Sequence, residues 1–507
     1  MLRALDGYDG QMIYAAGRRE GTEGAATEDL VPQAVVATRQ AWGVALATVA
    51  VFMLMAVLSL RILWLHDLID DAYITVHYAQ NLAAGHGWVW NEGSAPTDGT
   101  TAPLWTAVLS GMLWLHLPLV ESALVLNAIC YAAFAALACL LAGRVGGWIS
   151  AGICLLGMIA FSNILPSCAG METTLYQALL VGSFLLWHAG KQRSALLLAG
   201  LLPLVRGDGA LLLAVLGIEA IIERRVRDLW PTALLALIPI AGWEVFSIRE
   251  FHSLLPNSFL AKHATSAGVG GKVTLLSFLT ALYPGESAVY LWLAGGIGAA
   301  AGRKIPVVRA MAIWMAAYIV FYARFAQVPQ QSWYVAPVWW MLPILGALGV
   351  GLTIRRLVWA IPAAALLVGF LAAPPLLRAA LQDGPLLPST NRQAAAYLAA
   401  RPRGLVAAAE VGTIGTYSHD PVVDILGLVS PEVVPHLVRR DYGWIIRRDR
   451  PRYVFLWTMP RIGCYSDVTC EVWSSSWFRE HYHAVWSRPS GPGDSYAVLE
   501  YRMAGWG

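Results

Sequence analysis

Long apolar runs separated by short polar segments occupy most of the chain between residues 42 and 374. The first run, residues 42–65, is long enough to cross a bilayer, for which about 20 apolar residues are needed. Further runs lie at residues 120–142, 148–165, 172–188, 194–205, 209–222, 230–247, 287–301, 306–323, 338–353 and 357–374. Several are short for a straight crossing, which is tolerated where protein surrounds the exposed backbone. The pattern predicts an all-α membrane domain over residues 41–376, with about eleven transmembrane helices.

The run at residues 103–117 is too short for a full crossing, and we interpret it as a helix beside the membrane. With this segment outside the bilayer, the predicted loops on one side collect the basic residues. These are Arg144, Lys191, Arg193, Arg224, Arg225, Arg227, Arg303, Lys304, Arg355 and Arg356. The loop 66–102 on the opposite side contains no Lys or Arg. The positive-inside rule therefore places the N-terminus in the cytoplasm of a plasma-membrane protein and this loop at the extracytoplasmic face.

The two ends of the chain differ from the apolar middle. Residues 1–40 have no apolar run, which predicts a disordered cytoplasmic tail. Pro374-Pro375 and Gly384-Pro385 mark a linker, and residues 385–507 are far more charged. Short β-rich runs at 405–411, 422–426, 453–457 and 496–501, with a helical segment at 392–400, predict a small α/β domain. An odd number of crossings places this domain at the extracytoplasmic face, beside the loop 66–102.

Composition supports a membrane protein. The chain is 57% hydrophobic and 13% charged, with a mean hydropathy of +0.57, and a soluble protein of this length needs more charge. The net charge of +3, without a basic patch interleaved with aromatic residues, argues against nucleic acid as a partner.

The six cysteines divide into two groups. Four lie in or beside apolar runs, where cysteine is usually an inert small packing residue. Cys464 and Cys470 lie in the polar C-terminal region and would be able to form a disulfide outside the cytoplasm. No cysteine or histidine has the spacing of a zinc site.

Two adjacent acids, Asp70 and Asp71, follow the first apolar run directly. Carboxylates near lipid are costly and are often functional. On a helix, Asp70, Tyr73 and His77 recur at i, i+3 and i+4 spacing and would share one face, which would suit a pocket. A solvated turn whose acids only cap a helix explains the same residues equally well.

Other loops predicted on the same side carry further polar groups. They contain Glu172, Arg206, Asp208, Asn257, Lys262 and Arg324. Each has a structural explanation by itself, since Glu172 would cap a helix, Arg206 and Asp208 would form an ion pair, and Lys262 would bind lipid head groups. Together, carboxylates and cations beside a membrane cavity suit an anionic, lipid-anchored ligand, because Arg and Lys neutralise phosphate oxygens. A carboxylate there is able to accept a proton from a hydroxyl nucleophile.

The segment DDAYITVHYAQNLAAGHGWVWNEG, followed by DGTTAPLW, resembles the first external loop of bacterial GT-C glycosyltransferases. This superfamily includes arabinofuranosyltransferases of mycobacterial-type cell walls and mannosyltransferase-like enzymes that use polyprenyl-phosphate sugars. GMET, RGDG and LPNSFLAK resemble further motifs of the group, in the family's order, and GTIGTYSHDPVVDILGLVSPE is similar to its periplasmic tail. His77 stands where relatives commonly have Arg, and Gly207 replaces a Pro. If the usual Arg contacts phosphate, His77 would do so only when protonated or as a neutral donor.

The resemblance implies an inverting sugar transfer at the extracytoplasmic face, with a carboxylate of the first loop as base. We therefore predict a membrane glycosyltransferase that passes a sugar from a polyprenyl-phosphate donor to a hydroxyl of an envelope glycan, lipid or protein. Asp70 is the expected base, and Asp71 would orient the acceptor or hold Mg²⁺, Mn²⁺ or Ca²⁺, although two acids alone do not define a metal site. Lys262, Arg206 and Arg324 would stabilise the departing phosphate.

The remaining candidates would line the pocket. Tyr73, His77, Glu172, Asp208 and Asn257 are expected to contact substrate. Two other classes of protein stay open at this point. One is a transporter or flippase of a lipid-linked sugar or other anionic solute, and the other is a non-catalytic envelope assembly protein.

Overall fold

The computed structural model describes residues 26–265, 272–280, 286–353, 389–458, 467–491 and 494–502. Residues up to Ala50 and residues from Val51 onward form two separate compact units. The predicted span at 357–374, the 374–385 linker and Cys464 lie outside the described residues. Cys470 is disulfide-bonded, whereas its predicted pairing with Cys464 stays a prediction.

The first helix, α1, covers Ala26–Leu63, so it begins well before the apolar run from residue 42. Its apolar part, Ala41–Leu63, is the segment long enough to cross a membrane. Good helix formers such as Ala, Gln and Arg extend the helix toward the N-terminus, and residues 26–40 are therefore helical rather than disordered. The rest of the predicted tail, residues 1–25, lies outside the described part of the chain.

The membrane domain continues with helices on both sides of short breaks. They are α2 Asp70–Ala83, α3 Pro103–Trp114, α4 Leu119–Ala160, α5 Thr173–His188, α6 Gln192–Ala199, α7 Leu202–Val205, α8 Ala210–Ile222, α9 Val226–Phe251, α10 Asn257–Thr265, α11 Leu275–Thr280, α12 Glu286–Ala301, α13 Pro306–Val320 and α14 Ser332–Thr353. Short 3-10 turns cover Phe161–Cys168 and Gly207–Gly209, and a π-helical turn covers Phe321–Ala326.

Helix α4 consists of two antiparallel halves. Gly147 has φ 84°, a conformation that favours glycine, and breaks the helix there. The Tyr131 hydroxyl donates to the Met158 carbonyl at 2.7 Å across the two halves. The two spans predicted at 120–142 and 148–165 are therefore present as a helical hairpin.

Five helical stretches in the described part of the chain are long and apolar enough to cross a membrane. These are Ala41–Leu63, Leu119–Cys168, Val226–Phe251, Pro306–Ala326 and Ser332–Thr353. Shorter apolar helices cover Gln192–Val205 and Ala288–Ala301. These apolar helices are those of a membrane protein. The count of eleven crossings stays a prediction.

The C-terminal domain is α/β, as predicted. Its helices are α15 Thr390–Ala399, α16 Val411–Ser418, α17 Val434–Val438, α18 Trp444–Asp449, α19 Asp467–Ser474 and α20 Ser476–His481. Its strands are β1 Val406–Ala408, β2 Val422–Asp424, β3 Tyr453–Thr458, β4 Tyr482–Gly491 and β5 Asp494–Tyr501, in the order β2-β1-β3-β5-β4. Strand β1 pairs in parallel with β2 and β3, whereas β5 pairs antiparallel with β3 and β4.

Strand β4 was not predicted from the sequence. Register shifts interrupt its pairing between Ala484 and Trp486 and between Pro489 and Gly491. These irregularities remove the alternation that identifies strands, and they are common at sheet edges.

The sheet is covered on both faces. One face packs against α15, α16 and the loop after α2, including the buried side chains of Trp88 and Trp90. The other face packs against α17 to α20. Trp90 is 2% exposed, and burial of a large apolar side chain stabilises the fold by about 1.5–3 kcal/mol. The loop after α2 is therefore anchored to the C-terminal domain through a shared hydrophobic core.

Candidate active site

Asp70 and Asp71 are the first two residues of α2. Carboxylates at this position interact favourably with the helix dipole. Both side chains lie where α2, the C-terminal domain and α10 meet, because Asp70 contacts α16 and Asp71 contacts α10. The two acids therefore have different partners, although they are adjacent in sequence.

The Asp70 carboxylate binds the N-terminus of α16. The amide of Gly412 donates to Asp70 Oδ2 at 3.0 Å, and the amide and hydroxyl of Thr413 donate to Oδ1 at 2.9 and 2.7 Å. An N-cap residue usually supplies such an acceptor, but Glu410 at that position makes no side-chain cap bond. Asp70 therefore caps a helix of the other domain and is held in one orientation.

The protonation of Asp70 reflects opposing influences. Burial is the largest of these and raises the pKa of its carboxyl, and the neighbouring Asp71 raises it further. The bonds from Thr413 and Gly412 lower the pKa, but the net direction is upward. A raised pKa gives a carboxylate a higher affinity for a proton, which suits a general base.

Asp71 forms an ion pair with Lys262 of α10. The Nζ–Oδ2 distance is 2.6 Å, and the side chains of Asp71 and Lys262 are 25% and 18% exposed. The ammonium also lies 5.8 Å from the ring centroids of Trp333 and Tyr334. Lys262 is therefore a partly exposed cation between an acid and two aromatic rings.

Arg206 lies in a buried network. Its guanidinium donates to Asp208 Oδ2 at 3.1 Å, to Glu172 Oε1 at 3.5 Å and to the Tyr322 hydroxyl at 2.9 Å. Further bonds reach the Tyr318 hydroxyl at 3.4 Å and the Trp333 carbonyl at 3.3 Å.

Each nitrogen of the Arg206 guanidinium is engaged in this network. The bond to the Trp333 carbonyl fixes the beginning of α14 beside Lys262. Arg206, Glu172 and Asp208 thus form a closed group of charges that supports the surroundings of Lys262. Their predicted contacts with substrate stay predictions.

Tyr73 and His77 are engaged with protein groups. The Tyr73 hydroxyl donates to Asp67 Oδ1 at 2.6 Å, and His77 Nε2 lies 2.8 Å from the Trp90 carbonyl. Burial lowers the pKa of His77, against the opposing influence of the Trp90 carbonyl. The imidazole is therefore neutral near pH 7 and unsuited to act as a phosphate-binding cation.

Asn257 and Arg324 occupy different surroundings. The Asn257 amide donates to the carbonyls of Gly427 and Leu428 at 2.7 and 2.8 Å, which joins α10 to the C-terminal domain. Arg324 is exposed in the π-helical turn. Among the described contacts, none joins its guanidinium to Asp70, Asp71 or Lys262. The structure therefore groups Asp71 with Lys262 and does not bring Arg324 to them.

The sequence analysis missed Glu410 and Asn391. Asn391 Nδ2 donates to Glu410 Oε2 at 2.6 Å and lies 3.4 Å from Asp70 Oδ1. Glu410 follows the buried strand β1, and functional side chains often gather at the carboxyl ends of parallel strands. That signal was available, but the approach of Glu410 to Asp70 depends on the docking of the two domains.

Metal binding has little local support. In the part of the chain that the structure describes, no group of three or more His, Cys, Asp or Glu residues is arranged to hold a metal ion. The described partners of Asp70 and Asp71 are N–H and O–H donors. A divalent cation stays an expectation of the sequence analysis alone.

Comparisons with known proteins identify the fold. ArnT from Cupriavidus metallidurans, in its apo state, aligns with a TM-score of 0.54 and 15% identity over 91% of this chain and 98% of ArnT. The same protein bound to undecaprenyl phosphate aligns with a TM-score of 0.55 and 14% identity, over the same shares. The Archaeoglobus fulgidus oligosaccharyltransferase tethered to an acceptor peptide gives a TM-score of 0.51 and 12% identity, over 90% of this chain and 74% of that enzyme.

Comparisons of the sequence are less informative about the fold than comparisons of the structure. Residues 384–501 match a family described as a domain of unknown function (DUF8728). No curated protein matches the sequence. The structural alignments nevertheless cover both the helical part and the C-terminal domain. The chain is a membrane protein with the GT-C fold that its motifs predicted.

Proposed function

We propose that this protein is an integral-membrane glycosyltransferase. It takes a sugar from a polyprenyl-phosphate donor and passes it, with inversion, to a hydroxyl of an envelope glycan, lipid or protein at the extracytoplasmic face. The observation that carries the proposal is the combination of an oriented carboxylate, Asp70, with a partly exposed cation, Lys262, joined through Asp71. A base assists attack by the hydroxyl, and a nearby cation stabilises the departing phosphate.

Asp70 acts as the general base. The acceptor oxygen attacks the anomeric carbon, its proton passes to Asp70, and the bond from that carbon to the phosphate oxygen breaks. Asp70 Oδ2 accepts one described hydrogen bond, from Gly412, so it retains a lone pair for the proton. Asp71 is less suited to this role, because its Oδ2 is already occupied by the Lys262 ammonium at 2.6 Å.

Lys262 stabilises the departing phosphate. In the structure its ammonium is paired with Asp71, and a donor phosphate beside it would provide a second anionic partner. Charge-assisted bonds to phosphate are among the stronger hydrogen bonds in proteins. Two structural neighbours support a lipid-phosphate ligand, since ArnT was determined with undecaprenyl phosphate and the archaeal oligosaccharyltransferase AglB with a dolichol-phosphate.

A transporter or flippase of a lipid-linked sugar is the second candidate function. The buried charges of Arg206, Asp208 and Glu172 favour it, because charges within a helical bundle also mark solute pathways. The closed hydrogen bonding of Arg206 counts against this reading, since a pathway residue must release its partners to the solute.

The test uses purified protein in detergent, a radiolabelled polyprenyl-phosphate sugar and an envelope extract as acceptor. We expect release of polyprenyl phosphate and appearance of label in a new glycoside, without any ion gradient. Transfer should be lost in Asp70→Asn. If vesicles containing the protein move the intact lipid-linked sugar across the bilayer without breaking its glycosyl phosphate bond, the transporter is correct instead.

A further inference from the structure

Glu410 lies between the C-terminal sheet and Asp70. It follows strand β1 and immediately precedes α16, whose first turn binds the Asp70 carboxylate. Its two oxygens accept from Asn391 Nδ2 at 2.6 Å and from the Tyr496 hydroxyl at 3.0 Å. Glu410 is therefore fixed by side chains from α15 and β5, at the end of the helix that holds Asp70.

Asn391 connects the two acids. Its single Nδ2 atom lies 2.6 Å from Glu410 Oε2 and 3.4 Å from Asp70 Oδ1. An amide nitrogen carries two protons, so it is able to donate to both carboxylates at once. The two acids thus share one donor across the boundary between the membrane domain and the C-terminal domain.

The other charged groups around this pair already have partners. On α2, Asp71 is paired with Lys262 at 2.6 Å. From α15, Arg392 lies 3.5 Å from Asp67, which also accepts from the Tyr73 hydroxyl. By contrast, the described partners of Asp70 and Glu410 are all uncharged.

These uncharged partners are Gly412, Thr413, Asn391 and Tyr496. Two carboxylates that share a donor and lack a cation cannot both ionise without mutual repulsion.

We propose that Glu410 is a positioning residue of the active site, which acts through Asn391 to set the protonation of Asp70 and so the pH range of sugar transfer. The inference rests on the proposed function, in which ionised Asp70 is the base. It makes the C-terminal domain a part of the active site and not only an attached module.

The electrostatics of Glu410 agree with this role. Burial, and after it the charge of Asp70, raises the pKa of Glu410 to about 7. The bonds from Asn391 and Tyr496 act in the opposite direction. Near neutral pH the pair therefore holds a proton that either carboxylate is able to carry.

The first test is the pH–rate profile of Glu410→Gln. Glutamine keeps the shape and an acceptor oxygen, but it removes the charge that opposes ionisation of Asp70. We expect the acidic limb of kcat to shift toward lower pH by about one unit, a usual effect of a neighbouring like charge, with the rate at high pH retained.

Two control variants accompany this test. Glu410→Asp keeps the charge and should retain most of the wild-type profile. Glu500→Gln is the matched control, because the Glu500 carboxylate pairs with Arg452 at 3.2 Å. An acidic limb that stays where it is in Glu410→Gln overturns the inference.

A second test does not depend on catalysis. A raised pKa in the folded state means that Glu410 contributes stability below its unfolded pKa, which is lost as pH rises through about 7. Between pH 5 and pH 8, the melting temperature of Glu410→Gln should therefore fall less than that of the wild type. This range lies above the normal Glu pKa of about 4.3. When both proteins also carry Asp70→Asn, we expect the effect of Glu410→Gln on the pH dependence of the melting temperature to be smaller.

The two tests separate the hypotheses. If the wild type transfers no sugar but melting still couples Asp70 to Glu410, the proposed function fails and the pairing of the acids stands. The other outcome is that transfer occurs and the changes in melting temperature of Asp70→Asn and Glu410→Gln simply add in the double variant. In that case the proposed function stands and the role of Glu410 is wrong.

Discussion

Lys262 Nζ lies 2.6 Å from Asp71 Oδ2, although 191 positions separate the two residues. The contact joins α10 to the start of α2 and places a cation beside the acid pair. Trp333 and Tyr334 complete the surroundings of the ammonium, and Arg206 fixes the Trp333 carbonyl. A single Lys of α10 therefore contacts both the start of α2 and the start of α14.

Lys262→Met should weaken use of the lipid-phosphate donor. The methionine keeps much of the apolar stem but removes the charge, and a hydrogen bond to a charged group is worth about 1.5–3 kcal/mol. We expect kcat/KM for the polyprenyl-phosphate sugar to fall by about 10- to 150-fold. Initial rates at varied donor concentration measure this change.

The matched control is Lys272→Met. Lys272 is exposed and donates to Gln327 at 2.9 Å, and no described contact joins it to Asp70 or Asp71. Its kinetics should equal those of the wild type. Unchanged donor kinetics in Lys262→Met would exclude a phosphate-binding role for Lys262.

Asp70→Asn should abolish transfer while the protein stays folded. The amide removes the base, whose contribution is usually about 10²- to 10⁴-fold in rate. Because burial raises the pKa of Asp70, ionised Asp70 opposes folding above its unfolded pKa. The amide removes that charge but keeps one acceptor oxygen for the donors of Gly412 and Thr413, so the net loss of stability at pH 8 should be no more than about 1 kcal/mol. Rates and melting curves on the same preparation check both statements.

Thr413→Val is the control for Asp70. It deletes the hydroxyl that donates to Asp70 at 2.7 Å but leaves the carboxylate in place. The loss of one bond costs about 1 kcal/mol, so transfer should persist at a reduced rate. An Asp70→Asn protein as active as Thr413→Val would reject Asp70 as the base.

Local sequence patterns predicted much of this architecture. Apolar runs located the helices, and the loop motifs singled out Asp70, Asp71 and Lys262 before any contact was known. They did not indicate that Asp70 binds Thr413, because the two residues are 343 positions apart and meet only when the domains dock. Arg206 shows the same limit, since it was predicted to stabilise the departing phosphate, whereas its nitrogens bind groups within the protein.

Arg206→Met should therefore act on folding rather than on donor binding. Removal of the guanidinium leaves the buried Asp208 carboxylate without its cation, and breaking a buried pair usually costs about 3–5 kcal/mol. We expect a marked loss of folded protein in size-exclusion chromatography and a lower melting temperature. Arg303→Met, at an exposed Arg, should leave both unchanged.

The competing role for Arg206 makes a different prediction. If the guanidinium contacts the donor phosphate, Arg206→Met should fold normally and show a raised KM for the donor. Well-folded protein with that kinetic change would show that the closed network opens during catalysis.

Gly412→Ala tests whether docking of α16 on α2 is needed for catalysis. A Cβ at this position would collide with the Asp70 carbonyl and lie 2.9 Å from the backbone nitrogen of Ile74. Since backbone atoms cannot move aside as a flexible side chain does, α16 must shift, and overpacking of this kind usually costs about 1–3 kcal/mol. The amides of Gly412 and Thr413 would then leave Asp70, and transfer should fall together with protection of α2 from hydrogen exchange. Gly111→Ala, where the added Cβ has open space, should change neither quantity. Full activity in Gly412→Ala, with α2 still protected, would mean that the C-terminal domain is dispensable for orienting the base.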